Sequence, residues 1–142
     1  MWKTGAILAL LLLPGCLTLA EQPATVSSCS FEQVWETSLA AVSDMQIQTA
    51  DKSAGVFETN WLEVVGARQA GILKRDVTKE RFKYVVEVTR DGIGTVWSVL
   101  QLREEWSPMG VRMRQWQRMQ GNHQDTAAVS ATIARRLKDK GC

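Results

Sequence analysis

The chain of 142 residues carries one histidine, three prolines and three cysteines. A lone His123, in a segment that reads as a loop, and the absence of any Cys-x-x-Cys pair leave no recognisable zinc site. No Ser-His-Asp set can be assembled around that histidine, and the ten glycines form no phosphate-binding loop. Glu104 and Glu105 are adjacent, so on a strand they point to opposite faces and cannot work as a pair. Charge of one sign is also missing. Seventeen Lys and Arg stand against fifteen Asp and Glu, for a net charge of +2, so no basic footprint argues for nucleic acid. Nor is there a membrane-spanning run, since the apolar stretch from Ala6 to Leu13 falls far short of the ~20 residues a span needs. There is no internal repeat and no low-complexity segment. These absences point away from an enzyme and from any metal or cofactor.

The N-terminal stretch has a definite pattern. A single Lys3, the apolar run and the small Gly15 read as a secretory signal. Leu11-Leu12-Leu13-Pro14-Gly15-Cys16 resembles a bacterial lipobox, with Pro14 where a small residue is usual. That resemblance implies cleavage before Cys16 by signal peptidase II and a diacylglyceryl group on its sulfur. Two or three acyl chains anchor a domain stably where one would not. Leu17, rather than Asp, follows the lipid site, which favours the outer membrane, with the domain facing the periplasm. The alternative is an ordinary signal peptide ending near Ala20, in which case Cys16 is discarded. The expected organisation is a signal peptide over 1–15, a lipid-anchored flexible tether over 16–29 and a single domain over 30–142.

Cys29 and Cys142 remain as an even pair in a disulfide-permitting compartment. One precedes the first predicted helix and the other follows the last. If those helices run antiparallel, their ends coincide and the two can bond; the alternative is two unrelated thiols.

Ser30-Phe31-Glu32-Gln33 is a capping box, and Phe31, Val34, Trp35, Leu39 and Val42 follow at helical spacing, predicting a helix from about Phe31 to Ser43. Gln46 to Ala50 alternates as a short strand, and Val56 to Val64 as another, with Phe57, Thr59 and Trp61 on one face. Gly66 to Lys79 shows no clean period and reads as a charged loop. Phe82 to Thr89 and Thr95 to Glu105 form a hairpin across Asp91-Gly92. The second of these strands is apolar on both faces, as a central strand would be. Val111 to Met119 alternates, placing Arg112, Arg114, Trp116 and Arg118 on one side. A last helix starts near Asp125, the expected N-cap, with Val129, Ile133 and Leu137 as its stripe. The pattern predicts an α+β fold: an antiparallel meander of about five strands, flanked by an N-terminal and a C-terminal helix.

Phe31, Val34, Trp35, Leu39, Ile47, Asp51, Gly55, Phe57, Thr59 and Trp61, followed by two long strands and a terminal helix, are similar to the helix-grip domains of the BamC (NlpB) lipoprotein family. The resemblance implies a helix-grip fold, an outer-membrane location and an accessory role in outer-membrane protein assembly; it carries over no binding residues. Two surfaces are candidates for function. The strand face of Arg112, Arg114, Trp116 and Arg118 suits an acidic envelope-protein partner or lipid headgroups. Its plainer reading is a solvated outer face with its cations paired to Glu on a neighbouring strand. A groove between helix and sheet, walled by Trp61 and Trp97, would suit a lipid or a small apolar ligand.

Overall fold

The computed structural model describes residues 20–21, 23–70, 76–106 and 115–142. Among them are eight strands in one antiparallel sheet and two helices: β1 (Ala20–Glu21), β2 (Thr25–Ser27), α1 (Phe31–Ala41), β3 (Ile47–Asp51), β4 (Val56–Thr59), β5 (Leu62–Ala70), β6 (Asp76–Asp91), β7 (Gly94–Trp106), β8 (Trp116–Met119) and α2 (His123–Asp139). The fold is α+β, as the pattern predicts, with more strands than the expected five.

The long hairpin β6–β7 is the spine. It pairs without interruption from Asp91↔Gly94 to Lys79↔Trp106. β4 and then β5 lie along the free side of β6, with β3 outside β4. β2, β1 and β8 share the free side of β7, so β7 is central. The turn's positive φ falls on Gly94 (φ +154), where an added methyl group would collide with the Ser27 carbonyl, rather than on Gly92.

Side chains alternate along the spine as the strand period requires. Tyr84, Val86 and Val88 of β6 and Trp97 and Val99 of β7 point to the inner face, where both helices pack. α1 begins with the predicted capping box, in which the Ser30 hydroxyl accepts from the Gln33 N–H and the Gln33 side chain takes the Ser30 N–H. It buries Val34 and Trp35, and Trp35 meets Phe57 of β4 edge-on at 5.5 Å. Gly55 (φ +72) brings the chain so close to the Val88 carbonyl that a methyl group would not fit there. α2 buries Ile133 and Leu137. Its N-cap is Asn122, whose side chain accepts from the Gln124 N–H. Asp125 instead sits in the first turn and accepts from Gln101.

Three expectations are corrected. Residues 20–27, read as part of the tether, supply β1 and β2, because the free side of β7 offers unpaired backbone groups that outweigh their weak strand pattern. Most of Gly66–Lys79, read as a loop, is strand in β5 and β6. Val56–Val64 is not one strand but the two strands β4 and β5, broken at Asn60 and Trp61. Asn60 binds Gln46 there through both backbone and side chain.

That break changes which way Trp61 points. From Phe57 to Leu62 the chain advances five residues, while their β6 partners Val86 and Phe82 are four apart. One extra residue reverses the alternation. Phe57 and Thr59 face inward as expected, but Trp61 emerges on the outer face.

Candidate functional site

Beyond Tyr84 and Gln101 the sheet runs past the helices as a four-stranded arm, β5–β6–β7–β8. The two helices lie mainly over β1, β6 and β7, and α2 starts level with Gln101, which binds both the Asn122 N–H and Asp125. The arm therefore has two faces and, among the described residues, two unpaired edges, β5 and β8.

On its outer face, the guanidinium of Arg81 lies between two indoles, 4.5 Å from the centre of Trp61 and 4.2 Å from that of Trp116. Such stacking is worth about 0.5–2 kcal/mol per ring, depending on desolvation. Glu104, opposite Arg81 in register, accepts from its Nε at 2.8 Å and its terminal nitrogen at 2.6 Å. The same carboxylate meets Arg118 of β8 at 3.7 Å. Trp106 packs edge-on against Trp116 at 5.6 Å. Lys83 binds Glu58 and lies 5.3 Å from the Trp61 ring. The three tryptophans are half-buried, Arg118 and Lys79 are exposed, and Val65, in register with Lys79, is 79 % exposed.

The inner face of the arm is built from buried charges instead of apolar side chains. Glu80 and Glu105 are opposite each other in register and both are buried. Arg103 grips Glu80 through Nε at 3.0 Å and through a terminal nitrogen, and the Ala67 N–H donates to the same carboxyl group. Arg68, 72 % exposed, reaches in from β5 to bind Glu105 in a two-pronged fashion. Its hydrogen bond holds the Glu105 carboxyl below the ordinary glutamate range against the opposing effect of burial, while Glu105 raises the Arg68 guanidinium. Nearer the core, burial pushes the Tyr84 phenol up, and the nearby Asp125 charge adds to this.

The residues singled out from sequence are distributed as follows. Cys16, Arg112 and Arg114 lie outside the described residues. Trp116 and Arg118 share the outer face, with Arg118 paired to Glu104 of the neighbouring strand. Trp97 is 3 % exposed in the core, its indole N–H 3.3 Å from the Ser130 hydroxyl of α2. Trp61 is on the opposite face of the sheet, so the two rings do not wall a common groove; the inserted residue at the β4–β5 break separates them. Cys29 and Cys142 are bonded, with Cα atoms 5.3 Å apart, tying the start of α1 to the end of α2.

Sequence reading missed Arg81, Glu104 and Trp106 as partners of Trp61 and Trp116. Counting outward from the Asp91–Gly94 pair would have matched Arg81 with Glu104 and Glu80 with Glu105.

Among the described residues no three or more His, Cys, Asp or Glu side chains come together as a metal site, and no helix is long and apolar enough to cross a membrane. No family model matches the sequence, and no curated protein matches it.

Proposed function

We propose that this is a non-catalytic, lipid-anchored accessory domain of the outer membrane, held at the periplasmic surface through Cys16 and acting as a scaffold for an envelope protein, in the manner the BamC resemblance implies. The observation that supports a binding role is the open edge of β5. Among the described residues β5 pairs with β6 alone, and it carries exposed Leu62, Val64 and Val65. An unpaired, apolar strand edge is the feature that proteins usually cover or blunt, and it is competent to accept a strand from a partner. Beside it, Glu63, Val64, Val65, Thr78 and Lys79 line an open depression of about 320 Å³, which offers a seat for one side chain of such a strand. Anchoring supplies the rest of the mechanism, because confinement to the membrane surface raises the effective concentration and lets a modest contact suffice.

The test is photo-crosslinking from position 64, on the face opposite Val65, in intact cells, followed by membrane extraction and mass spectrometry. Recovery of barrel-assembly components is the expected outcome, and loss of that adduct when Leu62→Lys is added assigns it to the β5 edge. Crosslinks to no protein sink the scaffold reading. Anchoring is checked separately: Cys16→Ala leaves the protein uncleaved, or releases it to the soluble fraction if it is cut elsewhere.

A further inference from the structure

We propose that the outer face of the arm, centred on Trp61, Arg81, Trp106 and Trp116, lies against the headgroup layer of a phospholipid bilayer and so fixes how the domain is oriented on its anchor. This rests on the reading of Cys16 as the lipid site.

The first argument is reach. β1 pairs Ala20 with Gln101. Further along the same side of β7, Arg103 to Trp106 are paired with Met119 to Trp116 of β8, so Ala20 sits at the end of β1 that is next to the arm. Three residues lie between Cys16 and Ala20, four residue steps that span at most about 14 Å when fully extended. Glu104, under Arg81, is three residues along β7 from Gln101, or about 10 Å. An acylated Cys16 therefore keeps the cluster within roughly 25 Å of the lipid glycerol. The hairpin tip at Ile93 lies about 27 Å along β7 in the other direction.

The second argument is chemical. Both helices pack on the inner face of the sheet, and the inner face of the arm beyond them is occupied by the Glu80–Arg103 and Glu105–Arg68 pairs, so the outer face is the one left for a broad surface. Its side chains are of the type favoured at a membrane boundary: indoles with an apolar body and a polar N–H, and cations on long stems. Leu102 lies on the same face opposite Lys83, and Val65 protrudes there. The Glu104 carboxylate serves both Arg81 and Arg118, so it cannot neutralise both guanidiniums. Exposed Glu63 also lies opposite Arg81 on this face; with Lys79 nearby, three cations stand against two carboxylates, which leaves one positive charge for lipid phosphate.

A third argument concerns what such contact would do. Acyl chains already supply the affinity, so a weak second contact mainly restricts rotation. With the outer face down, the helices point away from the bilayer and the β5 edge runs parallel to its surface.

The test uses the mature, full-length protein extracted from membranes and reconstituted into phosphatylethanolamine–phosphatidylglycerol vesicles, with or without lipids brominated near the headgroup. Flotation with the vesicles reads the anchor; loss of tryptophan emission in the brominated vesicles reads the face. Trp35 and Trp97 are buried in the core and serve as the unquenched reference. The expected result is flotation together with a loss of emission that disappears in the Trp61→Phe, Trp106→Phe, Trp116→Phe variant. Flotation without quenching overturns the face and leaves the anchor standing, as does quenching that persists in the triple variant. Failure to float overturns both. Should the triple variant lose its circular dichroism, Val65→Asp with Arg118→Glu, both at exposed positions, replaces it. Reduced quenching then supports the face, and unchanged quenching overturns it.

Discussion

Glu80 and Glu105 face each other across the β6–β7 ladder, both buried, and each is neutralised by a different arginine. Like charges directly opposite in a sheet repel, and the two arginines offset that repulsion. The two are not equivalent, because Arg103 is largely covered whereas Arg68 is mostly in solvent. Arg103→Met should therefore cost about 3 kcal/mol, the usual result of stranding a buried charge. Adding Glu80→Gln should recover most of the loss. Arg68→Met should cost below about 1 kcal/mol, because an exposed ion-pair partner is screened by water. Urea midpoints at constant slope measure all three; equal losses from the two arginine variants would contradict this ranking.

The depressed Glu105 carboxyl gives stability a specific pH dependence. Its folded pKa lies below its unfolded value, chiefly through the Arg68 hydrogen bond. Its contribution is thus fully present above the ordinary glutamate value of about 4.3 and is lost as pH falls through the lowered folded value. Between pH 6 and pH 3 the wild-type melting temperature should drop further than that of Glu105→Gln. Parallel curves for the two proteins would remove Glu105 from the account.

The Cys29–Cys142 bond closes a sequence separation of 113 residues. In the chain-entropy treatment, cross-linking so long a loop stabilises the fold by on the order of 4–5 kcal/mol. Cys142→Ser, or reduction of the wild type, should lower the denaturant midpoint accordingly, and reduction should have no further effect on the variant. Intact-mass analysis with and without thiol alkylation establishes the bond itself.

Phe57 is fully buried and meets Trp35 edge-on. Phe57→Ala should cost about 3–5 kcal/mol through lost burial and the cavity it leaves, and it should weaken the near-ultraviolet dichroism of Trp35. A loss below 1 kcal/mol would mean that the α1–β4 contact is not central to the core.

Where the side-chain period was strong, local sequence determined the structure. The Ser30–Gln33 capping box, the inward set of Tyr84, Val86 and Val88, and the hairpin beyond them appear where the pattern put them. Three features escaped for separate reasons. β1 and β2 have little strand character of their own and exist because β7 has a free side. Gly66 to Lys79 hides its period because it carries the charged Arg68 and runs into Glu80, a buried charge where an apolar inward residue would mark a strand. Trp61 was assigned to the wrong face because one residue added at the β4–β5 break reverses the alternation, and no residue type near Asn60 announces such an insertion. The Arg81 stack follows from that reversal and was invisible for the same cause. At α2, Asn122 and Asp125 were both competent caps, and only the geometry of the turn from Gln101 decides between them.

The bond between Cys29 and Cys142 also determines how the domain meets mechanical load. Tension applied on the N-terminal side draws β1 and then β2 from the side of β7, and at Cys29 it meets a covalent closure that spans both helices and the whole β6–β7 spine. Force is then shared between the two ends of a ring. The stretch from Ala20 to Ser27 acts as a short extensible leash, and the core behind it stays folded while the leash pays out.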